Sequence, residues 1–368
     1  MQRKTSSHKR SEGPLYPSHS HCDAKTVACQ TRDECSEAQL EVLVGMSAVS
    51  VIATVLNEAD DIDGLLSSLV RQRLAPAEII VVDGGSTDGT WERLQANVLA
   101  HANLNAIRDP SCSLKESPGP IARGRNVAIA VASSEVIACA DAGCVYRPDW
   151  LENLTEPILS GHAEYVLGGS CLDADWQTTW DIASAPFFGI KLDPNQQTKS
   201  CTARSMAFRK ELWQRVGGFP ETSLTEDSLF DQRLRAVVQP AFPERAKAHY
   251  RPRHTLKTAL RDLGRYATLD GVMNIRRGRL FRNLARCLAE VLAVALVART
   301  VIPLVCVLLL EIYFAFRLDW KSFPGKTSVR LLSARLFFSL MVPWLVTWNH
   351  IVGALTKTNQ PNRQNVAG

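Results

Sequence analysis

Three short apolar runs that each stop at acidic or amide residues constrain this chain more than any other feature. Val49-Ser50-Val51-Ile52-Ala53-Thr54-Val55 leads into Asn57 and Glu58, Ile79-Ile80-Val81-Val82 ends at Asp83, and Val136-Ile137-Ala138-Cys139-Ala140 ends at Asp141. Runs this short and this β-branched read as strands buried on both faces, which is a property of parallel sheets. Between them the pattern switches to a helical period. Ile62, Leu65, Leu66, Leu69 and Val70 follow a cap at Asp60 or Asp61, and Trp91, Leu94 and Val98 follow the turn Gly84-Gly85-Ser86-Thr87-Asp88-Gly89. A strand is expected at Leu104 to Ile107 and a helix at Ile121 to Ala132. Alternation of this kind predicts an α/β fold, Rossmann-like, with a mainly parallel sheet flanked by helices on both faces. Ligands of such sheets sit at the carboxyl ends of the strands, where these polar residues stand. One acid at a strand end is more often a cap or turn residue. Three converging ends point to a site.

Charge and cysteine usage narrow the partners. Lys and Arg outnumber Asp and Glu by 42 to 37, with the basic residues concentrated toward the C-terminal half. That balance argues against nucleic acid and for an anionic membrane surface. The ten cysteines contain no C-x-x-C pair and read as reduced, buried small hydrophobes of a cytosolic protein. Residues 1–46 have no hydrophobic period and are expected to form a disordered tail. His19, His21 and Cys22 lack partners at zinc-finger spacing, no apolar core of a signal peptide follows the basic start, and Met46 is a candidate initiation site. Residues 47–275 are then one α/β domain, and residues 276–368 a basic and apolar helical region.

The residues at the strand ends suit a nucleotide. Asp83 offers acceptors to a uracil or to ribose hydroxyls, and Gly84 and Gly85 let backbone come close. The ordered series is more specific than any member of it: Asn57-Glu58; Val82-Asp83-Gly84-Gly85-Ser86-Thr87-Asp88-Gly89-Thr90; Ala122-Arg123-Gly124-Arg125-Asn126; Asp141-Ala142-Gly143; Val216-Gly217-Gly218-Phe219-Pro220-Glu221; and Thr225-Glu226-Asp227. From Val49 to Gly271 it resembles glycosyltransferase family 2, whose members have the GT-A fold. The resemblance implies an inverting glycosyltransferase. In it Asp227 is the general base, Glu226 positions that base or the acceptor, and Thr54, Asn57, Glu58, Asp83, Gly85, Ser86, Asp88, Arg125, Asn126, Asp141 and Arg265 hold a nucleotide sugar, with a UDP-sugar favoured.

The resemblance also implies a divalent cation, Mg2+ or Mn2+, at Asp141 beside the diphosphate. Gly143 stands where the family's motif often carries a second acid, and His249 is a conceivable extra ligand. Arg123, Arg125, Arg251, Arg253 and Arg265 are candidates to offset the leaving diphosphate. Asp262-Leu263-Gly264-Arg265-Tyr266 departs from the Gln-x-x-Arg-Trp of processive synthases, which argues against processivity.

Two apolar stretches close the chain, Val291 to Phe316 and Leu336 to Leu355, each near the length of a bilayer span. Arg299, Glu311 and Asn349 interrupt them, and Lys and Arg crowd the segment between, against the positive-inside tendency. An interfacial or re-entrant helical pair at the cytoplasmic face of the membrane is therefore expected, with a lipid-linked or glycan acceptor. A sugar nucleotidyltransferase would carry a Gly-rich, basic phosphate loop after the first strand, which Thr54-Val55-Leu56-Asn57-Glu58 is not. A non-catalytic sugar-nucleotide-binding subunit is the remaining alternative, favoured by Gly143 and opposed by Thr225-Glu226-Asp227.

Overall fold

The computed structural model describes residues 49–358 apart from 174, 176–177, 193–201, 223–224, 275, 297–304, 308, 310–311 and 314–328. The expected tail at 1–46 and most of the apolar stretch from Val291 to Phe316 lie outside the described residues.

The alternating pattern folds as read. β1 (Val49–Val55), α1 (Ile62–Val70), β2 (Glu78–Asp83), α2 (Thr90–Ala100), β3 (Leu104–Arg108), α3 (Pro120–Val131) and β4 (Val136–Cys139) follow one another. β1 pairs in parallel with both β2 and β4, and β2 with β3. Side-chain alternation on β1 supplies both layers of core: Val51 and Ala53 join Leu65, Leu66 and Leu69 of α1, while Ile52 joins Ala122, Ala128 and Ile129 of α3. Asp61 sits at the expected cap of α1 but makes no side-chain cap bond; its Oδ1 accepts from Arg253 Nη2 at 2.8 Å.

Two features were not legible in that pattern. After β5 (Cys144–Tyr146), α4 (Trp150–Leu159), β6 (Tyr165–Leu167), β7 (Ser170–Leu172) and α5 (Thr179–Ser184), the strand β8 (Met206–Arg209) inserts between β4 and β6, antiparallel to both. The main sheet thus has the order β3-β2-β1-β4-β8-β6. Beyond α6 (Lys210–Arg215) and α7 (Glu226–Arg235), β9 (Ala248–Tyr250) pairs with β5 and β7 in a second, three-stranded sheet.

Close approaches without a Cβ hold the layers around the strand ends. A Cβ on Gly124 of α3 would lie 2.7 Å from Thr54 Cγ2, and one on Gly119 would lie 2.4 Å from the backbone of Glu221 and Thr222. The chain closes with α8 (Leu256–Met273), α9 (Arg277–Leu296) and α10 (Val329–Thr358). α10 extends the expected apolar stretch at both ends and packs Leu331, Ala334, Phe338, Val342 and Val346 against Ala259, Leu263 and Ala267 of α8. The packing of α10 on α8 joins residues on both sides of position 275.

Candidate functional site

The carboxyl edge of the sheet opens into a crevice of about 1340 Å³. Thr54 near the end of β1, Leu56 after it, Gly84 after β2 and Asp141 after β4 line one side; Glu226 and Asp227 of α7 and Arg265 and Tyr266 of α8 line the other. Sheet topology therefore brings together residues far apart in the chain.

Arg125 is the hub. Its side chain is only 3% exposed, and it donates Nη2 to Asp141 Oδ1 at 2.7 Å and Nη1 to Glu226 Oε1 at 2.9 Å, with the guanidinium 5.4 Å from the Phe219 ring centre. A buried cation between two carboxylates satisfies much of the cost of taking all three out of water. Burial pushes the Glu226 carboxyl up while Arg125 pulls it down. Arg125 was expected on a diphosphate; the structure gives two of its nitrogens to acids, because Asp141 and Glu226 close over it from opposite walls. Asp141 also has Arg204 Nε at 3.9 Å from Oδ2, and its N–H donates to Tyr146 Oη at 3.0 Å. Arg204 lies 4.1 Å from the Tyr250 ring centre.

Asp227 stands in the first turn of α7, where a carboxylate is favoured by unpaired N–H groups and the helix dipole. Its Oδ1 accepts from Ser228 N at 2.6 Å and Ser228 Oγ at 3.3 Å, and the residue lines the crevice. Arg265 lines it too and is exposed.

Several expected nucleotide residues make hydrogen bonds within the protein. Asp83 is 0% exposed; both its oxygens accept from Ser86 N, Ser86 Oγ bonds Oδ1, and Arg108 Nε lies 3.6 Å from Oδ2. Its neighbour Gly84, not Asp83, lines the crevice. Asn57, held at φ 58°, accepts from Thr87 N at 2.9 Å, its own N–H donates to Ser86 Oγ at 2.8 Å, and Asp88 accepts from Ala59 N at 3.1 Å and from Thr90. These side chains lace the loop after β1 to the loop after β2. Gly85, at φ 94°, supplies the left-handed turn between them. Asn126 accepts from Phe219 N and Trp213 Nε1, both at 2.9 Å, and donates to Phe219 O at 2.8 Å. It fastens the turn Gly217-Gly218-Phe219 and does not line the crevice. In each case a short polar side chain finds a backbone partner.

Glu58 does face the crevice. Burial, then the charges of Asp61, Asp141 and Asp88, raise its carboxyl to about 7. That surplus of negative charge is an environment a divalent cation relieves. His249 is not part of it: on β9 its neighbour Tyr250 lines the crevice, so alternation turns His249 to the other face. Among the described residues no three His, Cys, Asp or Glu side chains gather as a metal-ion cluster. The donor set fits a cation that takes one carboxylate from Asp141 and the rest from diphosphate and water, and not an all-protein cage.

Sequence reasoning missed Arg204, Tyr146 and Tyr250. Arg204 stands in Cys201-Thr202-Ala203-Arg204-Ser205, which has no period; the one available signal was an arginine just ahead of the apolar strand β8.

Residues 50–217 match the family described as Glycosyl transferase family 2. The chain is similar to the succinoglycan biosynthesis protein ExoA of Rhizobium meliloti, 31% identical over 57% of this chain and 61% of that protein. It is similar also to glycosyltransferase AglE of Haloferax volcanii, 34% identical over 33% of this chain and 38% of that one. The chain thus spans less than two thirds of the length of either relative. Among solved structures, the mannosyltransferase PcManGT from Pyrobaculum calidifontis in complex with GDP-Man and Mn2+ aligns over 86% of this chain and 88% of that one, at 19% identity and a TM-score of 0.46.

Proposed function

From the match of residues 50–217 to glycosyl transferase family 2 we propose that the chain is an inverting transferase of GT-A fold. It passes a sugar from a nucleotide-sugar donor, a UDP-sugar first, to a lipid-linked or polysaccharide acceptor at the cytosolic face of a membrane. The observation that carries this reading is the crevice itself, in which Arg125 ties Asp141 at the end of β4 to Glu226, the residue before Asp227.

In this reading the nucleotide lies along Thr54, Leu56 and Gly84, and Asp83 acts on it indirectly, by holding the loop that presents Gly84. The diphosphate reaches Asp141. A bound Mg2+ or Mn2+, seated on Asp141, would supply positive charge to the leaving diphosphate. Asp227 takes the proton from the attacking acceptor hydroxyl, so that the new glycosidic bond forms as the bond to the diphosphate breaks on the opposite face. Glu226, fixed by Arg125, orients α7 and with it Asp227. Arg265, exposed on the rim, is placed to meet phosphate oxygens.

A thermal-shift panel of UDP, GDP and their sugar conjugates, with and without Mn2+, tests donor binding: the cognate nucleotide raises Tm by mass action. Asp227→Asn is expected to lower transfer by about 10²- to 10⁴-fold, the usual worth of a general base, while keeping the nucleotide-induced shift. Retained turnover would remove Asp227 from the role of base.

A further inference from the structure

The crevice does not end at Asp227. Ser228 Oγ accepts from Arg276 Nη2 at 3.0 Å, and Arg276 Nη1 reaches Asp270 Oδ1 at 2.7 Å. Asp270 is 1% exposed near the end of α8, and Arg279 Nη1 stands 3.8 Å from its other oxygen. Arg276 adopts φ 54°, a left-handed conformation that costs a non-glycine residue energy and is kept where surrounding bonds enforce it. Arg282 follows Arg279 at one-turn spacing on α9, and Arg276, Arg279 and Arg282 all line the crevice. Two guanidinium groups, those of Arg276 and Arg279, thus gather on the carboxylate of Asp270, and the charge of Arg282 is felt at Arg279. Burial, then the charges of Arg276 and Arg282, outweigh Asp270 and hold Arg279 below the ordinary arginine value.

In the transferase reading the donor diphosphate sits at Asp141. Asp141, Arg125, Glu226, Asp227, Ser228 and Arg276 form one chain of neighbours, with Asp141 at one end and the arginine group at the other. Apolar residues line the crevice too, Val342 and Pro343 of α10. Outside it, Phe281, Leu284 and Leu288 of α9 and Met341, Trp344 and Trp348 of α10 are exposed at helical spacing. A ligand that satisfies both halves is an anion with an apolar extension.

We propose that Arg276, Arg279 and Arg282 form a second anion subsite, which grips the phosphate or diphosphate of a lipid-linked acceptor and presents its sugar hydroxyl to Asp227. Guanidinium forks match phosphate oxygens in bidentate geometry. The proposal rests on the transferase reading above. A free phosphate offers the same oxygens, and the apolar wall is what distinguishes the lipid form.

Flotation of the full chain with phosphatidylcholine vesicles containing a polyprenyl diphosphate is the test, with inorganic pyrophosphate as competitor and phosphatidylglycerol vesicles of equal charge as control. The expected result is binding to the polyprenyl diphosphate vesicles above the phosphatidylglycerol control, competed by pyrophosphate. Arg282→Gln, an exposed change that leaves Tm unaltered, weakens it about tenfold, as loss of one charge-assisted contact does, and adding Arg276→Gln abolishes it. Equal binding by the Arg282→Gln protein overturns the proposal. Equal flotation with phosphatidylglycerol overturns it as well, because the arginines then read only a generally anionic surface, and so does pyrophosphate binding with no preference for the lipid form. A nucleotide-induced Tm shift, measured on the same samples with the panel of UDP, GDP and their sugar conjugates, separates the two readings. Absence of a shift with every nucleotide of that panel in the unaltered protein would sink the transferase assignment, whereas persistence of the shift in Arg282→Gln confines any loss to the acceptor side.

Discussion

Arg125 and Glu58 are the residues whose surroundings make the sharpest predictions. Replacing Arg125 by Met keeps much of the volume but leaves Asp141 and Glu226 facing each other without a cation. Removing one partner of a buried charge group costs about 3 to 5 kcal/mol; Asp141 is 23% exposed, so a loss near the lower end is expected in urea denaturation. Glu58 works through pH. Its carboxyl is raised to about 7 from an ordinary 4.5, so between those values the folded chain holds a proton that the unfolded chain has released. Stability contributed by that proton is present at low pH and declines as pH rises through the window. Glu58→Gln is expected to flatten the decline between urea midpoints taken near pH 5 and pH 8, and an unchanged slope would assign it to another group. At this scale the sequence named the residues, and the structure adds the bonds they make. Asp83, Asn57, Ser86, Asp88 and Asn126 were read as ligands of a nucleotide, and all make hydrogen bonds within the protein.

At the scale of elements, the crossing of α8 and α10 depends on missing side chains. A Cβ on Gly271 would lie 2.0 Å from His350 O, and one on Gly353 would lie 1.9 Å from Thr268 O. Thr268 Oγ1 also bonds Asn349 Oδ1 at 3.2 Å, so the two helices meet backbone to backbone with a polar fastener between them. Gly271→Leu is expected to push them apart and cost about 1 to 3 kcal/mol, as overpacking does. Hydrogen exchange checks where the loss falls: protection drops in α8 and α10 before it drops in β1 and β2. In sequence a glycine inside a helix reads as a weak point, and only the partner helix shows what it is for.

For the molecule as a whole, the question is whether the helical layer meets a membrane, as the proposed reading has it. The helix over Val329–Thr356 has a mean hydropathy of 1.5 in its most apolar window, long and apolar enough to cross a bilayer. Yet 44% of that window is buried inside the protein, and Arg335 within the helix is buried with Nη2 on Ile182 O at 3.4 Å. A helix committed on one face to its own domain, with Met341, Trp344 and Trp348 on the other, supports an interfacial seat over a span. Alkaline carbonate is therefore expected to release the protein into the supernatant. Retention in the pellet would mean that α10 crosses.

The strand-and-helix order from Val49 to Ala140, and the gathering of Asp141, Glu226 and Asp227 at the edge of the sheet, could be read from the chain alone. Periodicity is local, and the strand ends of a parallel sheet meet by topology. The antiparallel β8, the three-stranded sheet, the partners of Asp83 and Asn126, and the arginine end of the crevice could not. Each depends on a partner that the local pattern does not name, another strand for β8 and the small sheet and another side chain or backbone for the polar groups. That partner is 101 residues away for Arg125 with Glu226 and 93 for Asn126 with Phe219. A sequence records that a carboxylate or an amide is present. Whether it faces a ligand or a backbone N–H is settled by which backbone packs against it.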